Sequence, residues 1–173
     1  MAPQLFKITL LLIALQVYNT PALAQNAPNL GVLTTAQCPA AKTIKAPQLY
    51  GDWLVRFTNP PLGLPTEATM QLEKHEEFSE SLSGIVKRNL GKLAGASSIA
   101  GHAPRAALAG DVDDGLLLLD ESSNNTSISG AWNGEIVEGS CGKEIRGTWR
   151  DTSSSAAPGA PDVPFTLSRK VGW

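Results

Sequence analysis

The segment Glu144-Ile145-Arg146-Gly147-Thr148-Trp149-Arg150 alternates without a break between polar and apolar positions. Side chains on a β-strand point to opposite faces with a period of two. Ile145, Gly147 and Trp149 therefore share one face, and Glu144, Arg146, Thr148 and Arg150 the other. One face is dry and one is wet. The dry face also carries a glycine between two apolar residues. Glycine weakens an ordinary strand, and it is expected where the strand bends sharply or another backbone comes close.

The same apolar-x-Gly-x-apolar arrangement occurs at Leu49-Gly51-Trp53, Leu82-Gly84-Val86, Leu108-Gly110-Val112 and Ile128-Gly130-Trp132. Five such glycines in strand-like settings predict a sheet that coils tightly enough to close on itself. Alternation also runs through Trp53-Val55-Phe57, Ala68-Met70-Leu72 and Val163-Phe165-Leu167. Asp113-Asp114-Gly115 is a hairpin signal before the apolar run Leu116 to Leu119. Further turns are expected at His75-Glu76-Glu77, Asn89 to Gly91, Ser122 to Thr126 and Gly139 to Lys143, with a Ser/Ala/Pro/Gly-rich loop over 152–161. Beyond the first residues, no stretch holds a helical stripe of three turns.

Strand number depends on Asn133-Gly134. Read as a two-residue turn it gives nine strands, and a further strand within 91–104 gives ten. An up-and-down sheet closes on an even number, which favours eight, with 127–138 as one long strand and Gly134 a bulge or kink. The stretch 91–104 then reads as a flap at one mouth. The expected fold is all-β: a closed or nearly closed antiparallel up-and-down barrel of about eight strands over 48–173. Residues 25–47, with Pro28, Gly31, Pro39 and Pro47 among small residues, read as an extended N-terminal arm.

The chain opens with Lys7, the apolar run Ile8 to Val17, the helix breaker Thr20-Pro21 and the small residues Ala22-Leu23-Ala24. This is the pattern of a signal peptide over 1–24, cut after Ala24. The run falls short of the roughly 20 residues a membrane span needs, and no second one follows. Export to a periplasmic or extracellular space is expected. In that setting the only two cysteines, Cys38 and Cys141, read as a disulfide that staples the arm to the barrel.

The formal charge of −2 carries no basic stripe, so nucleic-acid binding is not expected. His75 and His102 stand alone in turns, without the neighbours a zinc site needs. Asp111, Asp113 and Asp114 lack the spaced oxygens and closing Glu of a calcium loop. No nucleophile elbow or phosphate-cradling loop occurs. The chain reads as a non-enzyme without a metal or cofactor.

Gly51-x-Trp53 on the first strand, with Arg169 facing inward on the last, resembles the barrel-closing signature of the calycins: the lipocalins, avidins and their relatives. The resemblance implies that Arg169 stacks across the Trp53 indole and seals one end. No residues match the biotin contacts of avidin or the remaining lipocalin regions, so neither ligand class carries over. Leu49 to Trp53, Asp114-Gly115-Leu116 and Leu167 to Arg169 are also similar to bacterial metalloprotease inhibitors. That family implies an exported eight-stranded barrel with one disulfide, whose N-terminal segment enters a protease cleft. The expectation is an exported calycin-like binding protein for an unidentified small molecule or protein, with Trp132 or Trp149 lining a cavity. The alternatives are an inhibitor-like protein acting through the arm Gln25 to Pro47, and an envelope protein with no pocket.

Overall fold

The computed structural model describes residues 38–89 and 103–170. The signal peptide, arm residues 25–37, most of the expected flap and His102 lie outside the described residues. Eight strands follow in chain order: β1 Gly51–Phe57, β2 Glu67–Lys74, β3 Leu82–Arg88, β4 Arg105–Asp113, β5 Leu116–Ser122, β6 Gly130–Ile136, β7 Glu144–Asp151 and β8 Val163–Arg169. Each pairs antiparallel with its neighbour, and β1 pairs back onto β8 through Trp53↔Arg169, Val55↔Leu167 and Phe57↔Phe165. The result is a closed up-and-down barrel.

Alternation fixes which residues fill it. On β1, Trp53, Val55 and Phe57 are buried while Asp52 and Arg56 are exposed. The same phase buries Ala68, Met70 and Leu72 on β2, and Val163, Phe165 and Leu167 on β8. Full burial of one such side chain contributes about 1.5–3 kcal/mol, so a one-residue slip on any strand would forfeit several of these contributions.

The glycines on the inner face answer to sterics between strands. A Cβ on Gly147 would lie 1.9 Å from the Asn133 carbonyl oxygen, one on Gly110 2.0 Å from that of Leu118, and one on Gly84 2.2 Å from that of Gln71. Neighbouring strands approach more closely than any side chain permits, as tight coiling requires. The fifth motif differs from expectation: β6 begins at Gly130, and Ile128 is half exposed in the preceding loop. Ser129 bonds back to the β5 backbone at Glu121, which ends the loop there. Gly134 stays in register with Gly147 and Leu117, so the strand runs through without a bulge. The Asp113-Asp114-Gly115 hairpin is as expected, with φ of +46° at Asp114 and +81° at Gly115.

The base of the barrel is plugged. Ala41–Thr43 forms a 3-10 turn and Ala46–Leu49 a single helical turn, α1. This corrects the extended reading of the arm over 38–47. Ala41, Ile44, Ala46 and Leu49 all reach the base only if the chain turns between them, and all four are buried. The Gln48 side chain accepts the Lys45 backbone N–H and so caps the short helix. The Cys38–Cys141 disulfide then ties this plug to the β6–β7 turn. Above the plug, the Trp53 indole N–H donates to the Leu49 carbonyl at 2.9 Å. The Arg169 guanidinium lies 5.7 Å from the Trp53 ring centre and donates to the carbonyls of Gln48 and Tyr50. Gly51 completes the corner: its φ is +130°, and a Cβ there would stand 3.4 Å from the guanidinium.

Candidate functional site

The opposite end of the barrel, the mouth, gathers the residues with chemistry. Trp132 on β6 and Trp149 on β7 are cross-strand partners, with ring centres 6.2 Å apart. Phe57 and Phe165 pair in the same way across the β1–β8 seam. Phe57 stands 5.7 Å from Trp132, and Phe165 stands 5.1 Å from it. Together the four rings form an aromatic layer across the interior, and all four are buried.

A charged pair sits with this layer. Arg88 continues the inward phase of Leu82, Gly84 and Val86 at the end of β3, and Glu121 continues that of Leu117 and Leu119 on β5. Both are buried, at 3% and 2% exposure. The Arg88 Nη1 donates to Glu121 Oε1 at 2.7 Å and Nη2 to Oε2 at 2.6 Å. The Trp132 Nε1 donates to the same Oε2 at 3.0 Å, and the Trp149 Nε1 at 3.2 Å. The Arg88 guanidinium also lies 5.5 Å from the Trp149 ring centre. The packing admits little change, since a Cβ on Gly130 would fall 2.6 Å from the Trp149 indole nitrogen. Arg88 Nε has no hydrogen-bond partner among the described residues.

Two opposite charges and two indole dipoles converge on one carboxylate. Removing such a pair from water costs several kcal/mol per ion, which only good geometry and further hydrogen bonds offset. The fork of Arg88 and the two indoles supply both. The carboxylate is left without spare acceptor capacity on its Oε2 side. Trp132 and Trp149, the two expected ligand contacts, are thus brought together, and their polar atoms are engaged within the protein.

Arg88 and Glu121 did not stand out in the sequence. The signal was present: each is a charged residue on the dry phase of an apolar alternation, two positions past the last hydrophobic residue. Reading Leu116 to Leu119 as one apolar run hid the phase of Glu121.

The remaining candidates lie outside the barrel. His75 in the β2–β3 turn accepts the backbone N–H groups of Glu77 and Phe78 through Nδ1. Asp113 and Asp114 pair with Lys45 and Lys42 at 3.7 and 3.6 Å, and Asp111 accepts the Ser81 hydroxyl. On the outer face of β7, hydrogen bonds from the Arg150 guanidinium hold the Asp162 carboxyl below its usual range. Shallow depressions mark the outer surface of the described residues. One of about 460 Å³ lies outside β1–β3 near Leu54, Thr69 and Lys87. A second of about 350 Å³ lies between Ala107, Ala109, Asp120 and Ile128, and a third of about 330 Å³ lies beside Lys42, Asp114 and Glu135. Trp132 and Trp149 line none of the three.

No protein-family model matches the chain, and no curated protein matches it. Among solved structures it is similar to a redesigned beta barrel, at 12% identity and a TM-score of 0.41, over 78% of this chain and 97% of that one.

Proposed function

We propose that this is an exported, non-enzymatic binding protein on a calycin-like barrel, and that it meets its partner on the outer surface, with the interior serving as scaffold. The observation that carries this reading is the Glu121 cluster. The two tryptophans nearest the mouth donate inward to Glu121 and pack against each other, Phe57 and Phe165. A ligand site needs a concave pocket with a few polar groups aimed into it, whereas these indoles are engaged by Glu121 and line none of the three depressions. The calycin likeness is supported by Trp53 and Arg169 meeting across the closing strands, and export by the disulfide.

The test is a nitrogen-15 NMR titration that follows the indole N–H signals of Trp132 and Trp149. Adding 1-anilinonaphthalene-8-sulfonate or N-acetylglucosamine to millimolar levels is expected to leave both signals in place. A saturable shift of either signal would return the binding site to the lumen and reject this reading.

The disulfide supports a second, inhibitor-like reading. Cys38 is fixed to the β6–β7 turn at the barrel base, so residues 25–37 would start from an anchored point. Deleting 25–37 should then abolish inhibition of a secreted metalloprotease while leaving thermal unfolding unchanged. Inhibition equal to that of the full chain would reject it.

A further inference from the structure

The outer wall of β4, β5 and β6 carries an arrangement the barrel does not need. Leu116 and Leu118 point outward from β5 at 44% and 52% exposure; further along the same wall, beyond Asp120, Ile128 in the loop before β6 is 50% exposed. The inward phase of the same strand already supplies Leu117 and Leu119 to the core. The outward leucines therefore contribute nothing to closing the barrel, and contiguous exposed apolar groups of this kind mark interaction sites.

Their surroundings are acidic. Across the ladder, Asp113 stands opposite Leu116, and Asp111 opposite Leu118. On the other side Glu135 stands opposite Leu116, and Ala131 opposite Asp120. Directly opposed residues on one face have Cβ atoms about 4.5–5.5 Å apart, so Leu116 lies between two carboxylates, and Leu118 between Asp111 and the amide of Asn133. Cations approach the base end of the wall: Lys45 pairs with Asp113, Lys42 pairs with Asp114 next to Leu116 and Glu135, and Arg146 lies across from Glu135 but bonds to Glu144. Next to the ridge, small Ala107 and Ala109 leave the depression of about 350 Å³ bounded by Asp120 and Ile128. A ridge, a recess and a carboxylate rim adjoin one another.

From this wall, and resting on the surface-binding reading above, we infer a docking site for a basic, amphipathic segment of a partner protein. Apolar side chains of that segment cover Leu116 and Leu118 and enter the recess by Ile128, while its Lys or Arg residues face Asp111, Asp120 and Glu135. Charge selects this occupant. A second copy docked face to face would oppose the same carboxylates to one another, in a chain that already carries −2. Nucleic acid and anionic membrane surfaces are repelled for the same reason. Closure selects the mode of contact: β1 pairs with β8, so among the described residues no strand edge is open for an added strand, and recognition of this wall runs through side chains.

The experiment uses the full chain and two synthetic 14-residue helical peptides, one of Leu and Lys in amphipathic order, the other with Glu in place of each Lys. The Leu/Lys peptide is expected to bind with backbone amide shifts confined to β4–β6, and at least about tenfold more weakly in 0.5 M salt. Leu116→Thr/Leu118→Thr should weaken it at least about tenfold, and the Leu/Glu peptide should not bind. These substitutions face solvent, and unchanged far-ultraviolet circular dichroism verifies the fold. Shifts on another face, or binding indifferent to the double substitution or to salt, would overturn the docking site while leaving the surface-binding reading standing. Concentration-dependent dimerisation abolished by Leu118→Thr would overturn the partner in favour of a second copy. Shifts of the Trp132 or Trp149 indole signals would instead count against the surface-binding reading itself.

Discussion

Glu121 is the residue on which most depends. Its carboxylate accepts from Arg88, Trp132 and Trp149 at once, so Glu121→Leu strands a buried guanidinium and takes one acceptor away from two indole N–H groups. A loss of about 3–5 kcal/mol is expected from stranding the charge, read as a lowered urea midpoint. Arg88→Met should cost less, because Glu121 keeps its two indole donors. The informative variant is the pair. Arg88→Met/Glu121→Leu removes the stranded guanidinium and should be more stable than Glu121→Leu alone, whereas simple addition of the two losses would show that the groups are not coupled. This cluster was hidden because composition and motif searches look for residue types, and Arg88 and Glu121 carry no motif. Their phase alone marks them. Trp53 and Arg169, by contrast, were legible, since Gly51-x-Trp53 and an inward arginine on the last strand point at each other once closure is assumed.

Among the elements, the strands were readable and the short helical turns were not. A strand announces itself within six residues through its period of two. The turns Ala41–Thr43 and Ala46–Leu49 span three and four residues, too few for a 3.6-residue period to show. Only the packing against the barrel base reveals why they turn. Ile44 and Leu49 are fully buried there, so Leu49→Ala should cost about 2–5 kcal/mol, as for other large-to-small core changes. The disulfide acts on the same element by a different route. It closes a loop between residues 103 apart, so its removal chiefly frees the unfolded chain, at about 2–5 kcal/mol. Cys38→Ser/Cys141→Ser is therefore expected to lower the thermal midpoint while leaving near-ultraviolet tryptophan signals intact. Leu49→Ala should perturb those signals, since Trp53 donates to the Leu49 carbonyl. Equal near-ultraviolet changes in both variants would mean that the plug is held by the disulfide rather than by burial.

At the scale of the whole molecule, closure gives every strand two neighbours, and the seam between β1 and β8 is where the first and last strands must find each other. Pairing residues so far apart in sequence brings its stabilisation only after a large loss of chain entropy, so the seam is the natural place for an added fastening. Arg169 is that fastening. It joins the backbone of Gln48 and Tyr50 to β8 and covers the Trp53 indole, linking seam, plug and first strand through one side chain. Arg169→Gln removes the charge-assisted donors and should lower stability by about 1.5–3 kcal/mol. More diagnostic is where the loss appears. Amide exchange should accelerate first in β1 and β8, with β4 and β5 still protected, because opening the seam is a local event that leaves the central ladder paired. Acceleration spread evenly over all eight strands would mean that the barrel opens only by unfolding as a whole, and that Arg169 fastens no particular joint.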